Sequence, residues 1–229
     1  MIRAHAALLL DLDGTLLDTA PDMGGALNRL RTEEGLDPVP FSSIRPVVSH
    51  GAARLVALGF PQAKDAEFER LRLRFLDLYS RNLAEHTRLF PGLEPVLGEL
   101  ERLGLPWGVV TNKPGWLTDP LLAALGLDRR AGCVVSGDTL PERKPHPMPL
   151  LHAASLVGVA PRHCVYVGDA QRDIQAGRAA GMTTVVAAYG YLSDEDDPGS
   201  WEPTGIVDEP AQLLEWMGSA PARAVGERP

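Results

Sequence analysis

Two hydrophobic rhythms divide this chain. The first is a set of short apolar runs: AALLL at 6–10, WGVV at 107–110, CVV at 133–135, CVYV at 164–167 and TTVVA at 183–187. Runs with so few polar positions fit strands buried on both faces better than half-wet, alternating ones. Before each of the later runs lies a stretch of helical spacing, at 94–103 closed by Gly104, at 120–125 followed by Gly126, at 148–157, and at 174–180 closed by Gly181. Helix and strand in regular alternation predict an α/β fold built on a doubly wound parallel sheet.

The second rhythm fills 18–88, where no strand-like run occurs. Met23, Ala26, Leu27 and Leu30 recur at helical spacing after Pro21, and Phe68, Leu71, Phe75, Leu78, Tyr79 and Leu83 do so in a longer helix. Pro38, Pro40, Pro46, Gly51, Gly59 and Pro61 break the stretch between them. The expected organisation is an α/β core of 1–17 and 89–217 with a small helical domain, 18–88, inserted after the first strand. Residues 189–203 read as a loop, 211–217 as a short closing helix and 218–229 as a disordered tail.

Composition narrows what such a fold serves. With 229 residues and 45% hydrophobic content the chain buries a sizeable core. A net charge of -8 and a pI near 5.2 argue against nucleic acid or an anionic membrane as partner, and the lysines and arginines are scattered. No apolar run approaches the roughly 20 residues that span a bilayer, and the first ten residues lack a signal-peptide pattern, so the chain reads as cytoplasmic, a monomer or homodimer. Cys133 and Cys164 each open an apolar run and read as reduced core residues.

The polar residues just past the apolar runs carry the chemistry. Asp11 and Asp13 follow the first run and project the same way, since strand side chains alternate. Two such carboxylates repel unless a cation or a proton lies between them. Thr111, Lys144, and Asp169 with Asp173 stand at or beyond later strand ends. In open parallel sheets ligands bind outside those carboxyl ends, so these groups should converge. A carboxylate pair, a hydroxyl, a fixed cation and further carboxylates suit a phosphoryl group and a hard divalent cation.

DLDGT at 11–15, VVTNK at 109–113, RKPHP at 143–147 and VGDAQRD at 167–173 resemble, in order and spacing, the four motifs of haloacid dehalogenase-like hydrolases. TNKP, GDTLPERKPHPMPLL and VYVGD are similar to the phosphoglycolate phosphatase branch, including relatives that act on N-acetylmuramic acid 6-phosphate; RPVVSHGA and YGYLSDEDDPGSW resemble that wider group. The resemblance implies a Rossmann-like core and Mg²⁺-dependent hydrolysis of a phosphate monoester on a small metabolite, through an aspartyl-phosphate. It implies 2-phosphoglycolate as first substrate, with N-acetylmuramic acid 6-phosphate or sugar phosphates as alternatives; a phosphomutase and a non-catalytic phosphate-binding regulator also stay open. Asp11 would be the nucleophile and Asp13 the acid and base, and Asp11, the Asp13 carbonyl and Asp169 would hold Mg²⁺. Thr111 and the backbone at Asn112 would bind phosphoryl oxygens, Lys144 would neutralise charge, and Asp173 would orient Lys144 or metal-bound water. Acid at position 13 sets the chain apart from relatives that cleave carbon–halogen bonds, and Ala170 departs from the aspartate often found there. The insert would be a mobile cap carrying Arg45, Ser49, His50 and Arg54. Either arginine would suit a substrate carboxylate, and each reads equally well as a solvated helix residue.

Overall fold

In a computed structural model that describes residues 5–218, the apolar runs form one parallel sheet. Strand β1 (Ala7–Leu10) lies at its middle, between β4 (Trp107–Val110) and β6 (Cys164–Gly168). Beyond β4 comes β5 (Cys133–Val135); beyond β6 come β7 (Thr183–Ala187) and β8 (Gly205–Val207), giving the order β5-β4-β1-β6-β7-β8. The two-residue alternation divides β1 between the faces. Leu8 and Leu10 join Val109, Val165 and Val167 on one side, while Ala7 and Leu9 join Val110, Cys164 and Tyr166 on the other. Leu8, Leu9 and Leu10 are wholly buried, each contributing about 1.5–3 kcal/mol.

Helices cover both faces. On the first lie α5 (Leu93–Arg102), α6 (Gly115–Ala124) and α9 (Leu213–Gly218), and on the second α7 (Met148–Leu156) and α8 (Gln171–Ala179). Two of these start earlier than spacing suggests because a distant or following side chain caps them. The Gly115 amide donates to Asp138 Oδ1 at 2.8 Å, which starts α6 ahead of Pro120 and leaves that proline inside the helix. The Ala170 amide donates to Asp173 Oδ2 at 3.1 Å, which starts α8 at Gln171. The expected loop is followed by β8, three residues too short to show as a run; the edge of β7 recruits it, Ala188 N–H donating to Val207 O and Thr204 N–H to Thr184 O. Gly218 belongs to α9, and residues 219–229 of the expected tail lie outside the described residues.

Between β2 (Leu17–Asp18) and β3 (Arg88–Leu89) the chain is helical: α1 (Ala20–Glu33), α2 (Phe41–Ile44), a 3₁₀ stretch (Arg45–His50), α3 (Gly51–Gly59) and α4 (Asp65–Ser80). Helical spacing predicts α1 and α4; α2 and α3 are too short and too proline-flanked to stand out. β2 and β3 pair antiparallel, Leu17 opposite Leu89 and Asp18 opposite Arg88, so both ends of the insert pass through one two-stranded neck. Leu27, Leu30, Ile44, Leu55, Leu71 and Phe75 form the insert's interior. Among the described residues no helix is long and apolar enough to cross a membrane.

Candidate active site

The middle position of β1 brings the expected residues together. Thr111 follows β4, Asp169 follows β6, and Lys144 comes from the loop after β5. Lys144 is buried, with Nζ 2.9 Å from Asp11 Oδ1, 2.7 Å from Asp173 Oδ1, and donating to the Val110 carbonyl and the Tyr166 hydroxyl, each at 2.8 Å. Such a cage fixes the ammonium as a positive point beside the Asp11 carboxylate. Asn112 and Lys144 clasp each other, Nδ2 donating to the Lys144 carbonyl at 2.9 Å and the Lys144 amide to Oδ1 at 3.0 Å. The Asn112 side chain therefore joins two loops, and the Lys113 amide donates to Thr111 Oγ1 at 3.1 Å.

Burial alone would raise the Asp11 carboxyl, but Lys144, then Arg172 and the Leu12 amide at 2.7 Å, outweigh it and hold the group below the ordinary aspartate range. Asp11 is thus an anion at neutral pH, and its Oδ2 lies 3.9 Å from the Arg172 guanidinium. Asp169 behaves oppositely. Burial first, then the charges of Asp11 and Asp173, push it up to about 7, against the Ser49 hydroxyl (2.6 Å) and the Tyr191 amide (3.1 Å). Asp173 is also raised, by burial, although Lys144 opposes this.

Asp13 points to a different set of partners. Lys113 Nζ lies 2.8 and 3.0 Å from its two carboxylate oxygens, and the Thr19 hydroxyl donates to Oδ1 at 2.7 Å. Lys113 is buried, yet Asp13 and Tyr79 outweigh that burial and raise its pKa, so it stays charged. Its ammonium also lies 4.8 Å from the Tyr79 ring centre, on α4 of the insert. The motifs VVTNK, VYVGD and VGDAQRD contain Lys113, Tyr166 and Arg172, and the sequence assigns none of the three a role. Lys113 was findable as the cation next to Thr111; Tyr166 reads as one more strand residue, and Arg172 as one more helix arginine.

A cavity of about 560 Å³ opens over these groups, walled by Asp11, Asp13, Thr111 and Lys144 below and by His50, Arg72 and Tyr79 of the insert above. Arg143 and Arg172 add positive charge to its wall. Arg45 and Arg54 lie elsewhere. Arg45 grips both oxygens of Asp18 at 2.8 and 3.0 Å and lies over Tyr191, 4.9 Å from the ring centre, beside the two-stranded neck. The neck carboxylate and the aromatic face engage the guanidinium, and Arg45 is not among the residues that line the cavity. Arg54 lines a shallow surface dip with His50, Ala53 and Ala57. His50 borders the cavity as an exposed residue; partial desolvation of its ring first, then the Arg172 charge, lower its pKa although Asp196 opposes them.

Asp11, Asp169 and Asp173 each place an oxygen within 4.8 Å of the others. All-oxygen donors gathered in one buried carboxylate cluster fit a hard divalent cation. Both Asp173 oxygens are already engaged, one by Lys144 and one by the Ala170 amide. A second acidic group, Asp22, Glu85 and His86, is accounted for within the fold, because Asp22 accepts from the amides of His86 and Thr87 and from the Thr87 hydroxyl.

An ionised aspartate beside a caged lysine, at the carboxyl edge of a doubly wound sheet, suits a hydrolase that works through a carboxylate. The model of the haloacid dehalogenase-like hydrolases matches residues 8–187, from β1 through β7, and the chain belongs to that family. It is 47% identical over 214 residues to a protein of Xanthomonas campestris pv. campestris named phosphoglycolate phosphatase, covering 93% of this chain and 97% of that one. It is 41% identical over 215 residues to an N-acetylmuramic acid 6-phosphate phosphatase of Pseudomonas putida, covering 93% and 96%. Among solved structures, a predicted phosphoglycolate phosphatase from Haemophilus somnus 129pt superimposes with a TM-score of 0.83 at 29% identity, over 94% of this chain and 99% of that one.

Proposed function

We propose that this chain is a Mg²⁺-dependent phosphatase that hydrolyses the phosphate monoester of a small carboxylated metabolite, 2-phosphoglycolate first. The observation that supports this most directly is the pairing of an ionised Asp11 with the caged Lys144 at the cavity floor, alongside the 47% identical phosphoglycolate phosphatase. Asp11, Asp169 and the Asp13 carbonyl would hold Mg²⁺, which when bound supplies the charge neutralisation that lets a carboxylate approach an anionic phosphate. Asp173, spent on Lys144 and the α8 cap, orients the lysine.

The chain's own groups then divide the work. Asp11 attacks phosphorus as the ester P–O bond breaks, and Asp13 gives its proton to the leaving alcohol oxygen. Asp13 next takes a proton from the water that attacks the aspartyl-phosphate, releasing inorganic phosphate and restoring Asp11. Lys113 and Thr19 orient Asp13, and the ammonium has to release one of the two oxygens for that oxygen to carry the proton in either transfer. Lys144 and the Thr111 hydroxyl offset charge on the phosphoryl oxygens. We read 18–88 as a cap whose closure excludes water, with the β2–β3 neck as its hinge.

A second substrate reading has its own support. A cavity of about 560 Å³ falls in the range of sites for drug-sized ligands and exceeds the needs of a two-carbon acid, which favours N-acetylmuramic acid 6-phosphate. Phosphate release from both compounds and a metabolite panel, with Mg²⁺ or with EDTA, separates the two; wild-type turnover by Asp11→Asn, or release untouched by EDTA, refutes the mechanism. Transfer without release of inorganic phosphate would point to a mutase.

A further inference from the structure

Ser49 belongs to the 3₁₀ stretch Arg45–His50 of the insert, yet its contacts lie at the carboxylate centre of the sheet. Its hydroxyl donates to Asp169 Oδ2 at 2.6 Å and lies 3.2 Å from the Asp13 carbonyl. A hydroxyl has one proton, and the shorter contact to a carboxylate takes it. Its backbone carbonyl accepts from Arg172 at 2.7 Å. The other donors to Asp169, the Thr15 hydroxyl and the Tyr191 amide, sit on segments of the chain outside the insert. Gly14 makes room for this approach, since its backbone is left-handed (φ 85°) and a Cβ there would stand 2.7 Å from Ser49 Oγ and 2.0 Å from Asp169 Oδ2. Ser49 also borders both the main cavity and a neighbouring one of about 270 Å³ that reaches Asp169 from behind.

We propose that Ser49 is a positioning residue for the cation centre: its hydroxyl sets the orientation of Asp169 only while the helical insert is docked, so cation affinity and insert position are linked. The identity of the ion as Mg²⁺ rests on the phosphatase reading above; the linkage rests on the contacts of Ser49. Hydrogen bonds to a ligating carboxylate fix its direction, and losing one typically weakens metal binding about 10–100-fold. Because binding linkage is reciprocal, Mg²⁺ must in turn hold the insert down.

The test uses the full chain and needs no turnover. Calorimetric titration with Mg²⁺ should give Ser49→Ala a Kd about tenfold above wild type. Ser49→Thr, which keeps the hydroxyl, should bind within about threefold of wild type. Amide exchange across 51–59 should slow on adding Mg²⁺ to the wild type and stay unmoved in Ser49→Ala. An alanine variant within about threefold of wild type, a threonine variant as weak as the alanine one, or protection by Mg²⁺ that survives in Ser49→Ala each overturns the proposal. A wild type that binds no Mg²⁺ overturns it too. A wild type that binds Mg²⁺ through Ser49 but releases no phosphate refutes the phosphatase reading and leaves this linkage standing.

Discussion

The electrostatics of Asp169 make a measurable demand on stability. Burial and two neighbouring carboxylates raise it from 3.8 to about 7 in the folded chain without a cation. Between those values the folded state holds a proton that the unfolded state has released, so stability falls as pH rises through the window and levels off above it. A shift of about three pKa units corresponds to about 4 kcal/mol, of which roughly a third is felt at pH 5 and all of it at pH 8. Asp169→Asn removes that titration. An asparagine oxygen still accepts from the Tyr191 amide and the Ser49 hydroxyl, and its NH₂ still meets Thr15. Thermal unfolding in EDTA at pH 5 and pH 8 isolates the effect as the Tm of the variant minus that of the wild type, because the other titrating groups largely cancel. For a chain of this length about 2–4 °C accompanies each kcal/mol, so the difference should widen by roughly 5–10 °C between the two pH values. Saturating Mg²⁺ should stabilise the wild type more at pH 8 than at pH 5, since at pH 5 it must displace a proton, and should do little for Asp169→Asn. A difference in Tm that stays constant or narrows as pH rises refutes the reasoning.

Three other outcomes follow from the same contacts. Lys144→Met strands two buried carboxylates and should cost about 3–5 kcal/mol at neutral pH, read as a fall in denaturation midpoint that acid partly relieves by protonating them; a variant as stable as wild type would contradict the cage. Lys113→Met frees Asp13 and should lower kcat on alkyl phosphates by about 10²-fold or more, with less effect on p-nitrophenyl phosphate, whose leaving group needs little acid; equal loss on both would count against the role of Asp13. Burial pushes the Cys133 and Cys164 thiols up to about 11 and about 12, so an aromatic disulfide reagent should leave both unmodified until denaturant is added, and rapid reaction in the native protein would contradict their placement.

The sequence by itself determined the sheet and the inventory of the site. Leu8 to Leu10 read as a doubly buried strand because no polar residue interrupts them, and they occupy the middle of the sheet for the same reason. The insert was legible as helical because its apolar residues return at helical spacing; Asp11, Thr111 and Asp169 were legible because each follows a strand directly, and Lys144 because it stands in the loop beyond one. β8 was not legible, since an edge strand of three residues draws its hydrogen bonds from β7 and not from its own pattern. Arg45 shows the limit most plainly. A guanidinium is chemically fit for a substrate carboxylate, and only tertiary packing puts Asp18 and Tyr191 closer. Tertiary structure likewise decided that Lys113 grips Asp13, that Asp173 serves Lys144, and that Ser49 of the insert reaches Asp169, because each contact joins groups about thirty to more than a hundred residues apart. Hydrophobic periodicity fixes where strands and helices form, whereas pairing among polar side chains depends on distances that only the folded chain sets.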